Sequence, residues 1–196
     1  MKQKIVYGIF IIAFVFTATQ AMAKEWKLDA NHSVVQFGIT HIFSTVYGNF
    51  SDFNGDIRFD PANPGAGRFD FTVQVNSVNT GNAKRDNHLR SPDFFDAGKF
   101  PVMRFVSSGI THKGGKNYVV TGEMTLKNTT KVMEIPFVFH GTAPSPFDKR
   151  TQVAGFDTQF TLDRLAFGVG SGKFYDMGVV GKDVHVTISV EALGDK

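Results

Sequence analysis

Residues 84–96, KRDNHLRSPDFFD, crowd Arg85, Asp86, His88, Arg90 and the adjacent rings Phe94 and Phe95 into one short stretch. A histidine beside arginines and carboxylates can move a proton, clamp an anionic ligand, or latch one part of a fold to another. The other chemistry-bearing residues are scattered. His32, His41, His88, His112, His140 and His185 show no HxH, HExxH or comparable metal-ligand spacing. Asp29, His32 and Ser33 supply the types of a nucleophile triad, but no nucleophile elbow or glycine-flanked serine accompanies them. With no cysteine in the chain, thiolate catalysis, cysteine-ligated zinc, iron–sulfur clusters and disulfides are excluded. A catalytic site needs convergent geometry rather than residue types alone, so no enzymatic function, metal or cofactor is expected.

Period-two alternation runs through the chain and must position these residues. VVQFGITH sets Val35, Phe37, Ile39 and His41 on one face; GDIRFD and FDFTVQV give Gly55, Ile57, Phe59, then Phe69, Phe71, Val73 and Val75. MRFVS adds Met103 and Phe105, and YVVTGEMTL adds Tyr118, Val120, Gly122, Met124 and Leu126. VMEIPFVFH contributes Met133, Ile135, Phe137 and Phe139; AGFDTQFTL contributes Ala154, Phe156, Thr158, Phe160 and Leu162. DVHVTISVEA ends the series with Val184, Val186, Ile188 and Val190. Strands with one apolar and one wet face, joined by the turns HKGGKN and KNTTK, predict an all-β, eight-stranded antiparallel barrel, whose closure removes aggregation-prone edges. A two-sheet sandwich fits the same alternation less economically.

Residues 84–96 break the rhythm. Asn82 can cap a short helix through Leu89, and Ser91 with Pro92 can start a second turn. The spacing therefore predicts a short helical insert between strands three and four, with an Asp86–Arg90 ion pair allowed. Phe94 and Phe95 would plug the open end of the barrel.

Eight strands enclose a space that either fills with side chains or holds one slim ligand. The inward face is rich in phenylalanine, with Gly55 and Gly122 read as gaps, so a packed core and a lipid cavity both remain open. His41 and Arg164 share the inward parity near a rim. Arg164 can pair with an anionic head group or with a carboxylate such as Asp86 or Asp163.

The first residues read as a leader. Lys2 and Lys4 precede an apolar run from Ile5 to Ala18, and Ala21, Met22 and Ala23 form a small-x-small cleavage pattern. Residues 1–23 are expected to be a removed secretory signal, and residues 24–196 one domain, with no transmembrane segment. The leader carries two lysines and no acid, so the chain's 21 basic and 18 acidic residues come nearly into balance without it. No basic stripe suggests a nucleic-acid partner.

Taken together, WKLDANHSVVQFGITH, GNFSDFNGDIRFDP, RDNHLRSPDFFDAGKFPVMRF, YVVTGEMTLKNTTK and LDRLAFG span the chain in the order of the YceI-like family, which the sequence resembles. One departure is Asn128, where the family pattern commonly has glycine in a hairpin turn. The resemblance implies a lipocalin-like barrel in the periplasm of a Gram-negative bacterium, carrying a polyisoprenoid or other long-chain amphiphile for transport or storage. It implies no catalytic residues. A stress-related scaffold barrel without ligand is the third reading, beside an enzyme acting on bound lipid. The expected tail contacts are Phe37, Ile39, Phe59, Phe71, Val73, Phe105, Met124, Phe137, Phe139 and Phe160; the expected rim residues are His41, Arg85, His88 and Arg164. A second copy of the chain is an allowed partner.

Overall fold

The computed structural model describes residues 23–196; the expected leader, apart from Ala23, lies outside them. Strand β1 (Glu25–His41) is the spine of the closure. It pairs with β10 (Val180–Asp195) along one edge, while its other edge takes β2 (Ser44–Phe50) and then β3 (Phe53–Arg58). β2 and β3 act as one strand interrupted at Ser51 and Asp52. From β3 the sheet continues antiparallel through β4 (Arg68–Gln74), β6 (Val102–Gly114), β7 (Asn117–Leu126), β8 (Thr129–Pro144) and β9 (Thr151–Asp163) to β10. The result is the expected closed eight-stranded barrel. A two-residue strand, β5 (Val78–Asn79), pairs only with the end of β2.

β1 begins earlier than the alternation indicates, because a bulge between Asp29 and Val34 switches its parity. Trp26 and Leu28 face inward before the bulge, and Val35, Phe37 and Ile39 face the cavity after it. Trp26 is anchored by its indole N–H, which donates to the Phe59 carbonyl at 2.9 Å.

One barrel end is solid. Phe59, fully buried, meets the rings of Phe69, Tyr118, Phe137, Phe139 and Phe156 with centroids 5.1–6.1 Å apart, mostly edge to face. The expected gaps at Gly55 and Gly122 are not gaps. Gly55 lies opposite Phe71 in the register, and that ring covers it. A Cβ on Gly122 would stand 2.5 Å from the Val106 carbonyl oxygen and 2.6 Å from the Phe105 ring. Glycine here is the space that lets a neighbouring ring lie flat against the wall. Gly122→Ala must therefore push backbone aside, and a loss of about 1–3 kcal/mol in urea unfolding is expected.

On the outer face Arg104 grips Asp70 with two bonds, Nε to Oδ1 at 2.9 Å and a terminal nitrogen to Oδ2 at 2.7 Å. That bond, with the charges of Arg104 and Arg68, holds the Asp70 carboxyl below its ordinary value. A depressed folded pKa contributes stability that is present above the unfolded value, about 3.9, and is lost as pH falls through the folded value. Asp70→Asn should accordingly flatten the acid limb of a stability-versus-pH curve below about pH 4 and leave its neutral-to-alkaline side unchanged in shape.

The insert between β4 and β6, the third and fourth barrel strands, contains helix α1 (Ala83–Arg90). The Asn82 side chain caps it, accepting from the Arg85 N–H at 3.1 Å. The second predicted helical turn does not form. Ser91 instead ends α1, its N–H and hydroxyl both donating to the His88 carbonyl, and residues 91–95 follow as turns. The predicted Asp86–Arg90 pair is also absent. Asp86 accepts from the Thr80 N–H (2.9 Å) and hydroxyl (2.5 Å), while Arg90 donates to the Asn76 and Val78 carbonyls. A second cover comes from the connection after β9, which carries the short helix α2 (Lys173–Asp176). No described helix is long and apolar enough to cross a membrane.

Candidate functional site

Above the aromatic floor the barrel is hollow. A cavity of about 570 Å³ is walled by β1, β2, β9 and β10 and roofed by α1, the turns after it, and the β9–β10 connection. A smaller cavity of about 130 Å³ lies deeper against β3, β4, β6 and β8. The two share Val35, Val73, Met103, Met124, Phe160 and Ile188, so these side chains form the neck between them. Phe37, Ile39, His41, Arg85, His88 and Arg164 line the larger space, whereas Phe71, Phe105 and Phe137 line the smaller. Phe59 and Phe139 line neither cavity; both belong to the packed floor.

The roof supplies walls that parity did not identify. Phe94, predicted as a plug, is buried and stacks on Phe174 of α2 with centroids 5.8 Å apart and planes 9° from parallel. Phe95 meets Phe50 edge to face at 6.0 Å. Lys127, held at φ +53° in the β7–β8 turn, donates to the Phe94 carbonyl at 2.8 Å and the Gly168 carbonyl at 2.9 Å. One ammonium thus ties the insert and the β9–β10 connection to the same hairpin. Phe174, Val169 and Val179 also line the cavity, yet their stretch has no alternation by which to find them.

The cationic and titratable groups divide by role. Arg164 is 4 % exposed and meets no carboxylate, contrary to the expected pairing with Asp86 or Asp163. Its guanidinium donates to the carbonyls of Gly181 (2.8 Å), Val169 (2.7 Å) and Val180 (3.3 Å), and lies 5.9 Å from the centre of the Phe94 ring. Burial lowers its pKa from the ordinary value. Asp163 bonds instead to Lys182 and to the backbone N–H groups of Leu165 and Ala166. Arg85 sits at the other side of the cavity, bonding the Thr80 hydroxyl and carbonyl at 2.7 Å each. His88 pairs with Asp93 at 3.0 Å and packs edge-on against Phe94. Asn82 and Lys84 are exposed yet line the cavity, which locates its mouth beside the start of α1.

The nucleophile triad does not assemble. His32 bonds Asp29 at 2.8 Å, raising the histidine pKa and lowering that of the carboxyl, but the Ser33 hydroxyl donates to the Asp29 and Glu191 carbonyls. Asp29, His32 and Glu191 do bring ligand-type atoms within 4.8 Å of one another on the exposed β1 bulge, away from the cavity.

The model of the YceI-like domain matches residues 26–192. The chain belongs to the YceI-like family. A UPF0312 protein of Yersinia enterocolitica is 34% identical over the whole of both chains, and protein YceI of Salmonella arizonae shares the same identity and coverage. The solved structure of Burkholderia cenocepacia BcnA superposes with a TM-score of 0.76 at 29% identity, covering 84% of this chain and 98% of that one. A Saccharophagus degradans domain described as polyisoprenoid binding, and implicated in plant cell wall breakdown, has a TM-score of 0.64 at 14% identity. It covers 88% of this chain and 99% of its own, a likeness of fold. This YceI-like barrel joins a hollow half to a solid half.

Proposed function

We propose that this YceI-like barrel binds an isoprenoid-type lipid or similar long-chain amphiphile, keeps its tail from water, and serves in the periplasm as a carrier or store rather than a catalyst. The observation that carries the reading is the larger cavity: about 570 Å³, walled mainly by apolar side chains, with Thr80, Asn82, Lys84, Arg85 and His88 grouped around α1 and Gln36, His41 and Arg164 elsewhere on the wall. Each buried methylene-sized group is worth about 0.8 kcal/mol, so a branched hydrocarbon tail needs no specific polar contact to bind strongly. The description of the Saccharophagus domain as polyisoprenoid binding supports the same ligand class. Absence of an assembled triad supports a binding role.

Organic-solvent extraction of the purified protein, followed by mass spectrometry, should release a stoichiometric long-chain lipid, and delipidated protein should take up a polyprenyl probe saturably. Bound lipid should also raise the unfolding temperature, since it binds only the folded form. No extracted lipid together with no saturable uptake sinks the reading. Phe94→Ala and Phe95→Ala remove roof and wall, so each should cut probe retention about tenfold through a faster off-rate. His88→Ala, which removes an exposed ring at the edge of the cavity that touches Phe94 edge-on, should change retention by less than about threefold. The reverse order would return residues 84–96 to the status of a chemical site.

A further inference from the structure

One of the two-residue turns at the cavity end is made by residues unsuited to a turn. Between β1 and β2 the chain reverses through Ile42 at φ +54°, a β-branched residue in the left-handed region, and Phe43, whose side chain is 100% exposed. Both choices are unfavourable in water: glycine or asparagine would relieve the backbone, and a polar side chain would suit the tip. The Ile42 N–H donates to the Val179 carbonyl at 3.0 Å, which joins the turn to the β9–β10 connection. That connection displays two further apolar side chains, Tyr175 at 43% and Met177 at 62% exposure. His41 and Val46, flanking the turn, line the cavity, as do Phe174 and Val179 on the connection. The exposed apolar tip therefore borders the mouth itself.

The charges around it are close to balance. Lys84, Arg85 and Lys173 stand with Asp93 and Asp176, Lys182 is paired with Asp163 at 3.3 Å and lies 3.9 Å from Asp183, and the buried Asp86 is bonded to Thr80. Segment 42–49 contains no charged residue. An aromatic tip with tyrosine and methionine beside it, bordering an apolar cavity and carrying no charge of its own, matches the boundary between acyl chains and head groups of a bilayer. The opposite end offers a contrast. Phe147 is 97% exposed there, but it stands alone beside Asp148, Lys149 and Arg150, outside both cavities.

We propose that the β1–β2 turn and the adjoining part of the β9–β10 connection dock the mouth of the barrel on a lipid bilayer through their apolar side chains, so that ligand passes between bilayer and cavity without crossing water. Each methylene exposed during transfer raises the barrier, and seating Phe43 among the acyl chains keeps the path apolar from end to end. The transfer half of the proposal rests on the lipid-binding reading above; the docking half does not.

The test is flotation of the full mature chain with vesicles of phosphatidylethanolamine and phosphatidylglycerol, and with phosphatidylcholine vesicles alone. The wild-type protein should float with both kinds of vesicle and stay bound at high salt, because apolar insertion is not screened. Phe43→Ser should lower the partition about tenfold or more, while Phe147→Ser leaves it unchanged. Because position 43 is fully exposed, the variant should keep the wild-type circular dichroism and melting temperature. It should also keep its extracted lipid yet load a polyprenyl probe from vesicles more slowly. Failure of the wild type to float, or equal flotation of wild type and Phe43→Ser, overturns the proposal. So does concentration-dependent dimerisation that Phe43→Ser abolishes in the absence of vesicle binding, which would make a second copy the occupant. Flotation with no probe uptake would keep the docking surface and overturn the lipid-carrier reading instead.

Discussion

Phe59→Ala should destabilise the protein by about 3–5 kcal/mol in equilibrium urea unfolding, among the largest effects of any single side-chain truncation in the chain. Its ring is fully buried and is the hub at which five other rings meet. Removing it leaves a void bounded by strands that hydrogen-bond on both edges, so the walls cannot collapse inward far enough to fill it. Phe59→Leu retains most of the volume and loses mainly the edge-to-face contacts, so it should cost less, about 1–2 kcal/mol. The two variants separate void from ring chemistry. A loss below about 1 kcal/mol for Phe59→Ala would show that the solid half of the barrel does not carry the stability assigned to it.

Arg164→Leu should be nearly as damaging, with a loss of about 3 kcal/mol or more. The guanidinium fans out to three carbonyls, on Val169 and on consecutive residues Val180 and Gly181, which have no other side-chain donor. Leucine fills the space and leaves those oxygens, one buried and two half-buried, without their donors. Arg164→Lys keeps the charge, but a single ammonium cannot reproduce the fork geometry, so most of the loss should persist. This comparison separates two roles for the same residue. A structural clamp loses stability in both variants, with equal loss of uptake for polyprenol and polyprenyl phosphate probes. If Arg164→Lys instead melts like wild type and selectively weakens the phosphate probe, the arginine serves the ligand's head group.

Much of the barrel was legible in the chain because alternation of apolar and polar residues is a direct record of an inside and an outside. The eight strands, their order and the Asn82 cap follow from it. Legibility failed where the inside is built by something other than alternation. β2 was missed because STVYGNF offers glycine and polar groups where an inward apolar series would be sought, and β1 was shortened because its bulge reverses parity. Gly55 and Gly122 looked like vacancies, since nothing in a linear pattern tells which ring on the next strand will cover them. Arg164 lies inward as its parity indicates, yet its partners are Val169, in a stretch shaped by positive φ at Gly168, Gly170 and Gly172, and Val180 and Gly181 at the start of β10. Residues 84–96 had the ingredients of an active site, and the structure spends them on caps, a turn and a roof.

The pairing of β1 with β10 joins Lys27 to Leu193, near the two ends of the described chain. Any nascent or truncated chain lacking β10 has two unsatisfied sheet edges and an aromatic interior open along a seam. Closure must also bring together residues of very large sequence separation, which favours slow folding over early collapse to the native form. The same seam therefore sets an order of events: the barrel cannot be sealed until β10 is made, and until that moment its greasy interior is open to aggregation.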